Sequence, residues 1–210
     1  MLKISPYILV LLVLMSCKKE RGNTSHAIFS ETQSQEAPKR KKFNAKKVGD
    51  TLDVFNDVYV FYNKNMSNVA GRNLTKEGYN LGLKWQCVEF VKRYYYDHLN
   101  HKMPNSYGHA KDFFNPALKD NQKNKDRNLV QFTNGSQLKP EVNDLIIFKG
   151  NILNPYGHVA IISKVDKNSI EVVQQNVGRE SREDFKLRLK NDKWFVGDSS
   201  VLGWLRKMDR

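Results

Sequence analysis

The sequence predicts an α+β domain in which N-terminal helices pack on an antiparallel β-sheet. Three observations carry that prediction. Cys87, Phe90, Val91, Tyr94 and His98 recur at helical spacing, with Val88, Tyr95 and Leu99 beside them. The second half of the chain instead holds short runs of β-branched and apolar residues: 145–148, 158–165 and 170–175. The connections between those runs are short, which favours antiparallel neighbours. At 210 residues the chain is one ordinary domain plus extras, large enough to bury a core.

The first residues are read as export. Lys3 gives a positive start, and Ile8 to Met15 is an apolar run too short for a bilayer span, which needs ~20 residues. It closes on Leu14-Met15-Ser16-Cys17, which resembles a bacterial lipobox. That resemblance implies a signal peptide over 1–16 and a lipidated Cys17, hence an exported, membrane-anchored lipoprotein, periplasmic or at the cell surface. Residues 17–47 then form a basic tether, rich in Lys, Glu, Ser, Gln and Thr and poor in large apolar residues. Nine basic residues against three acidic ones in that stretch account for nearly half of the formal charge of +13. The remainder is only moderately basic, so no nucleic-acid partner is expected. A monomer is expected.

The globular part is expected over 48–210. Val58 to Tyr62 reads as a strand, and a loop holding Gly71, Gly78 and Gly82 leads to Trp85. The best helix starts at Cys87 and ends near Asn100, before Pro104. Residues 119–128 read as a polar surface loop, and His98 and His101 as a solvated helix end. Runs 194–196 and 201–205 close the sheet.

With Cys17 assigned to the lipid, Cys87 is the one remaining thiol, and a distant histidine in Gly157-His158-Val159-Ala160 completes the outline of a nucleophile and its base. A free thiol has pKa ~8.5 and attacks as the thiolate. A helix N-terminus and a neighbouring His158 both favour that anion. The backbone N–H of Cys87 and the side-chain amide of Gln86 are candidate oxyanion donors. If the strand from His158 turns through a three-residue loop at 166–168, Val165 faces Ser169. His158 then faces Asn176, with Gln174 as its same-face neighbour. Asn176 and Gln174 are thereby nominated to orient the imidazole, with Glu171 a third choice. The sequence shows no metal motif such as His-Glu-x-x-His, and no cofactor is expected.

Residues 79–93, Tyr-Asn-Leu-Gly-Leu-Lys-Trp-Gln-Cys-Val-Glu-Phe-Val-Lys-Arg, resemble the nucleophile segment of the CHAP family of cysteine amidases and peptidases, especially glutathionylspermidine amidase domains. Gly108 to Phe113, Pro140 to Phe148, Gly157 to Ile162 and Val201 to Arg206 resemble later segments of that family in the same order. The resemblance implies a papain-like fold, with Cys87 as nucleophile and His158 as general base and later acid. The family's third position, often Glu or Asn, falls on Gln174. A neutral amide can orient the ring but cannot stabilise an imidazolium as a carboxylate does; activity, rather than a dead enzyme, is expected. Asn143 replaces a family glycine at a turn where Asn tolerates positive φ.

These readings converge on a cysteine amidohydrolase cleaving amides of peptidoglycan, either N-acetylmuramoyl–peptide or stem and cross-bridge peptide bonds. Export favours wall peptides as substrate. Glutathionylspermidine-like polyamine conjugates are the second expectation, and a non-catalytic wall-binding lipoprotein on the same fold is the third.

Overall fold

The computed structural model describes residues 41 and 43–208. The expected signal peptide, Cys17 and all of the tether up to residue 40 lie outside the described residues. The compact part begins ahead of residue 48: Ala45 is buried, and Arg179 donates a hydrogen bond to its carbonyl.

Two hairpins come first. Strands β1 (Thr51–Phe55) and β2 (Val58–Phe61) turn through Asn56 and Asp57, both at positive φ, as a tight two-residue hairpin requires. The inward residue of β1 is not apolar. Asp53 is buried and paired with Arg182 Nε at 2.6 Å, which is why no hydrophobic alternation marks this strand. Strands β3 (Arg72–Leu74) and β4 (Asn80–Leu83) pair where the sequence reading expected a glycine-bearing loop. At Gly82 (φ +131°) an added Cβ would lie 3.1 Å from Glu89 Cα, so glycine lets β4 close on the helix behind it.

Among the described residues there is one α-helix, α1 (Cys87–Asp97), and a short 3-10 helix (Ala110–Phe113). The protein is thus mostly β-sheet with a single helix. This corrects the expected plural N-terminal helices: residues 43–83 carry turn residues too closely spaced for a helix and fold as hairpins instead. In α1 itself, Phe90, Val91, Tyr94 and Tyr95 are fully buried, the stripe the periodicity predicts.

The remaining strands form one antiparallel sheet: β5 (Gln122–Asn124), β6 (Leu129–Thr133), β7 (Leu145–Phe148), β8 (His158–Val165), β9 (Ser169–Val173), β10 (Arg182–Lys190), β11 (Lys193–Val196) and β12 (Val201–Arg206). Their order is β11-β10-β9-β8-β7-β12-β6-β5. One face packs under α1 through Ile147, Val159, Ile161, Val173 and Leu205. The other holds a second core of Phe132, Ile146, Ile162, Val172, Phe185 and Trp204, contributed by the strands themselves. Strands buried on both faces read as continuous apolar runs, as 145–148 does. Strand β10 was not expected, because Arg182–Lys190 is mainly charged and only Phe185 and Leu187 turn inward.

Two surface expectations are corrected. The 119–128 stretch contains β5 and buries Asn124 and Arg127; the Arg127 guanidinium stacks on Phe113 at 3.9 Å and donates to the Asn105 and Tyr107 carbonyls. His101 is buried rather than solvated, its Nε2 2.8 Å from the Arg127 carbonyl oxygen. Asn143 takes φ +76° and is held by both helix tyrosines, accepting from Tyr94 Oη at Oδ1 (2.5 Å) and from Tyr95 Oη at its carbonyl (2.8 Å). No described helix is long and apolar enough to cross a membrane.

Candidate active site

Cys87 is the first residue of α1, and its side chain is buried against the sheet. The residue before it, Gln86, occupies the N-cap without a side-chain capping bond, so the first-turn N–H groups keep their donors. The sulfur sits among three of the nearby backbone N–H groups, those of Val159, Val88 and Cys87 itself. Val159 belongs to β8, one residue beyond His158. The start of α1 and the start of β8 therefore lie close together. Gly157, just ahead of His158, lets this strand start lie against Phe148 and Lys111: at φ +74° an added Cβ would lie 2.6 Å from the Phe148 carbonyl oxygen and 2.9 Å from Lys111 Cβ.

The β8–β9 register decides what stands behind His158. Val165 pairs with Ile170, one residue further along than a three-residue loop allows. A bulge at Ser163 then shifts the register back, so Ile162 pairs with Val172 and Ile161 with Val173. The Ser163 hydroxyl patches the bulge by donating to Glu171, 2.8 Å to its carboxylate. Loop and bulge cancel, and Gln174 arrives beside His158: His158 Nε2 lies 2.9 Å from Gln174 Oε1. Since that oxygen can only accept, Nε2 carries the proton and Nδ1 is left as the basic nitrogen. Gln174 Nε2 in turn donates to Glu183 Oε2 at 3.1 Å.

The next two residues fasten other parts of the site. Gln175 is buried; its Nε2 donates to the Gln86 carbonyl (3.1 Å) and to Glu89 Oε2 (3.0 Å), and its Oε1 accepts from Phe61 N–H (2.7 Å). Asn176, at φ +70°, donates to Gln86 Oε1 at 2.6 Å and accepts from Asn63 at 2.9 Å. It orients Gln86, not His158. Glu171, the third nominee, pairs with Arg182 at 3.0 Å.

Gln86 also departs from its expected part. Its Nε2 donates to the Met66 carbonyl (3.0 Å) and the Asn68 carbonyl (2.8 Å), which uses both amide hydrogens. The side chain locks the 63–68 loop onto the helix start and has no donor left for an oxyanion. Backbone N–H groups at the start of α1 are the donors that remain.

Burial sets the charge state of the pair. It pushes the Cys87 thiol up to about 11, outweighing the three N–H contacts that favour the thiolate. It pushes His158 down to about 4, against the opposing pull of the Gln174 hydrogen bond. Both shifts favour neutral forms, so at neutral pH Cys87 rests as a thiol and His158 as a neutral imidazole. A depressed imidazole pKa and a raised thiol pKa have one observable sign: alkylation of Cys87 by iodoacetamide should be slow at pH 7 and climb steadily through pH 9 and above. A plateau reached below pH 7 would show a preformed thiolate instead.

Sequence reasoning missed Glu183, Gln175 and the Asn63–Asn68 loop. Their parts depend on hydrogen bonds between distant segments, which no periodicity announces. The run Gln174-Gln175-Asn176 was the available signal, since three consecutive amides directly after a buried strand need partners on several sides. No group of three or more His, Cys, Asp or Glu suited to a metal stands among the described residues.

Comparison with known proteins covers Cys87, His158 and Gln174 to Asn176 with one segment. The CHAP domain matches residues 78–176, a span that starts just ahead of β4 and ends on Asn176. The bifunctional glutathionylspermidine synthetase/amidase of Escherichia coli (strain K12) is 30% identical over 139 residues, covering 60% of this chain and 22% of its own. The trypanothione synthetase of Crithidia fasciculata is 27% identical over 157 residues, 69% of this chain and 24% of its own. The chain thus spans less than a quarter of the length of these curated relatives.

Proposed function

With residues 78–176 forming a CHAP domain, we propose that the chain is a cysteine amidohydrolase with Cys87 as nucleophile and His158 as base. One observation carries the reading: a buried thiol at a helix start lies against the strand whose first residue is an imidazole with its Nε2–H fixed by Gln174. The arrangement supports the following steps. As Sγ attacks the substrate carbonyl carbon, its proton passes to His158 Nδ1, and the carbonyl electron pair moves to oxygen beside the first-turn N–H groups of α1. Collapse of the tetrahedral adduct breaks the C–N bond, and the imidazolium protonates the departing amine. Water, deprotonated by His158, then hydrolyses the thioester and restores the thiol. Because burial holds both groups neutral at rest, the thiolate is made during attack rather than stored.

For the substrate we favour peptidoglycan amides, either N-acetylmuramoyl–peptide or stem and cross-bridge bonds. The support is the exported, lipid-anchored reading of residues 1–17, which would set the domain among wall peptides. A second reading has its own support: one relative, the bifunctional glutathionylspermidine synthetase/amidase of Escherichia coli, is named for an amidase activity. Incubating the full chain with wall fragments and, separately, with glutathionylspermidine, and identifying new amines by mass spectrometry, separates the two. Release from wall fragments alone is the expected result. Release from glutathionylspermidine alone would move the substrate to the second reading, and release from neither would remove both.

A further inference from the structure

We infer that Glu183 is a positioning residue, which fixes the end of the Gln174 amide that faces His158. The inference rests on the proposed role of His158 as base. An amide side chain has an acceptor end and a donor end of nearly the same shape, exchanged by a half-turn. With Oε1 toward the imidazole, as found at 2.9 Å, Nε2 of the ring must carry the hydrogen and Nδ1 keeps its lone pair. With the amide reversed, its N–H would donate to ring Nε2, the ring hydrogen would move to Nδ1, and no lone pair would remain for the thiol proton.

The fold selects between these states through one contact. Gln174 Nε2 donates to Glu183 Oε2 at 3.1 Å, and a carboxylate can only accept. The Gln174 backbone is itself held, its N–H donating to the Ser181 carbonyl at 2.9 Å on the run into β10. Gln174 is only 2% exposed, so water offers little alternative pairing to the reversed amide. Glu183 is itself exposed, pairs with Val172 in the β9–β10 register and lies on the same face of β10 as Phe185 and Leu187. It lies past residue 176, outside the segment that matches the CHAP domain.

The pair also accounts for glutamine at 174. A carboxylate there would face the Glu183 carboxylate across the same short gap, and like charges at that distance repel. The negative charge that steers His158 is therefore placed one hydrogen bond further out, with an amide between.

The test compares three substitutions at an exposed position that should leave the fold intact. Glu183→Gln keeps an acceptor oxygen, Glu183→Ala removes it, and Glu183→Lys replaces it with a donor that draws the amide the wrong way. Expected kcat is within about twofold of the parent for Gln, roughly fivefold lower for Ala and at least roughly tenfold lower for Lys, with KM unchanged throughout. A full tautomer error costs at most ~10⁴ in a related triad. Independently of any substrate, the ¹⁵N shifts of the His158 ring should report the Nε2–H tautomer in the parent and Glu183→Gln, and the Nδ1–H tautomer in Glu183→Lys. A Glu183→Lys protein that keeps the Nε2–H tautomer overturns the inference, whatever its activity. A tautomer that switches in a protein inactive on every substrate upholds the amide lock while removing the role of His158 as base. In a final arm, Gln174→Glu should lower kcat and Gln174→Glu with Glu183→Gln should recover it. Absence of that recovery overturns the matched pair.

Discussion

Cys87→Ala is expected to lower amide hydrolysis by at least ~10⁴-fold, the scale seen when a nucleophile is removed from a site whose groups act together. The loss should be confined to chemistry. The substitution removes one sulfur from a buried position and should cost on the order of 1 kcal/mol of stability. Substrate should still bind, because the loops that frame the helix start are held by Gln86, Gln175 and Asn176 rather than by the thiol. The measurement is amine release under single-turnover conditions, beside a thermal melt of the same preparation. Release by Cys87→Ala at the parent's rate would remove Cys87 as the nucleophile.

The largest effect on stability is expected at Glu89. Its carboxylate is fully buried in the first turn of α1. It accepts from Arg93 Nε at 2.7 Å, Asn73 Nδ2 at 2.7 Å and Gln175 Nε2 at 3.0 Å. Glu89→Ala strands one guanidinium and two amide donors in the interior, and breaking a buried pair from one side costs ~3–5 kcal/mol. Glu89→Gln keeps an acceptor and should cost clearly less. Urea unfolding followed by tryptophan fluorescence gives the comparison. An unchanged midpoint for Glu89→Ala would show that the pairs around it contribute nothing. The placement of this carboxylate also links stability to the site, since Gln175 joins Glu89 to the Gln86 carbonyl directly ahead of the nucleophile.

How far the sequence could be read depended on what each segment buries. Strand β8 was legible over its whole length, and α1 from its first residue, because apolar side chains on a buried face leave a period. Strand β1 was not, because its inward residue is Asp53, satisfied by Arg182 from a strand more than a hundred residues away. Strand β10 was hidden in the same way by its charged, outward-facing majority. In the site, Cys87 and His158 were legible as residue types with the right chemistry. Gln174 was reached through a loop one residue too short, an error that the Ser163 bulge offset. The part assigned to Gln86 was not recoverable from sequence, since the carbonyls that take its hydrogens belong to a loop some twenty residues earlier. Glu183 was invisible for a similar reason: nothing in an exposed glutamate on a charged strand points to a glutamine nine positions before it.

That offset between turn and bulge makes chain length a hidden variable of the chemistry. A strand's side chains alternate faces, so a single deletion in the exposed 166–168 turn, with the bulge retained, would slide β9 by one place against β8. Gln174 would turn away and a neighbour of opposite facing would take its place, although no residue of the site had been altered. The exposed tip of a hairpin is usually the freest part of a protein to lengthen or shorten. Here it works as a vernier, and its setting is read out at the imidazole.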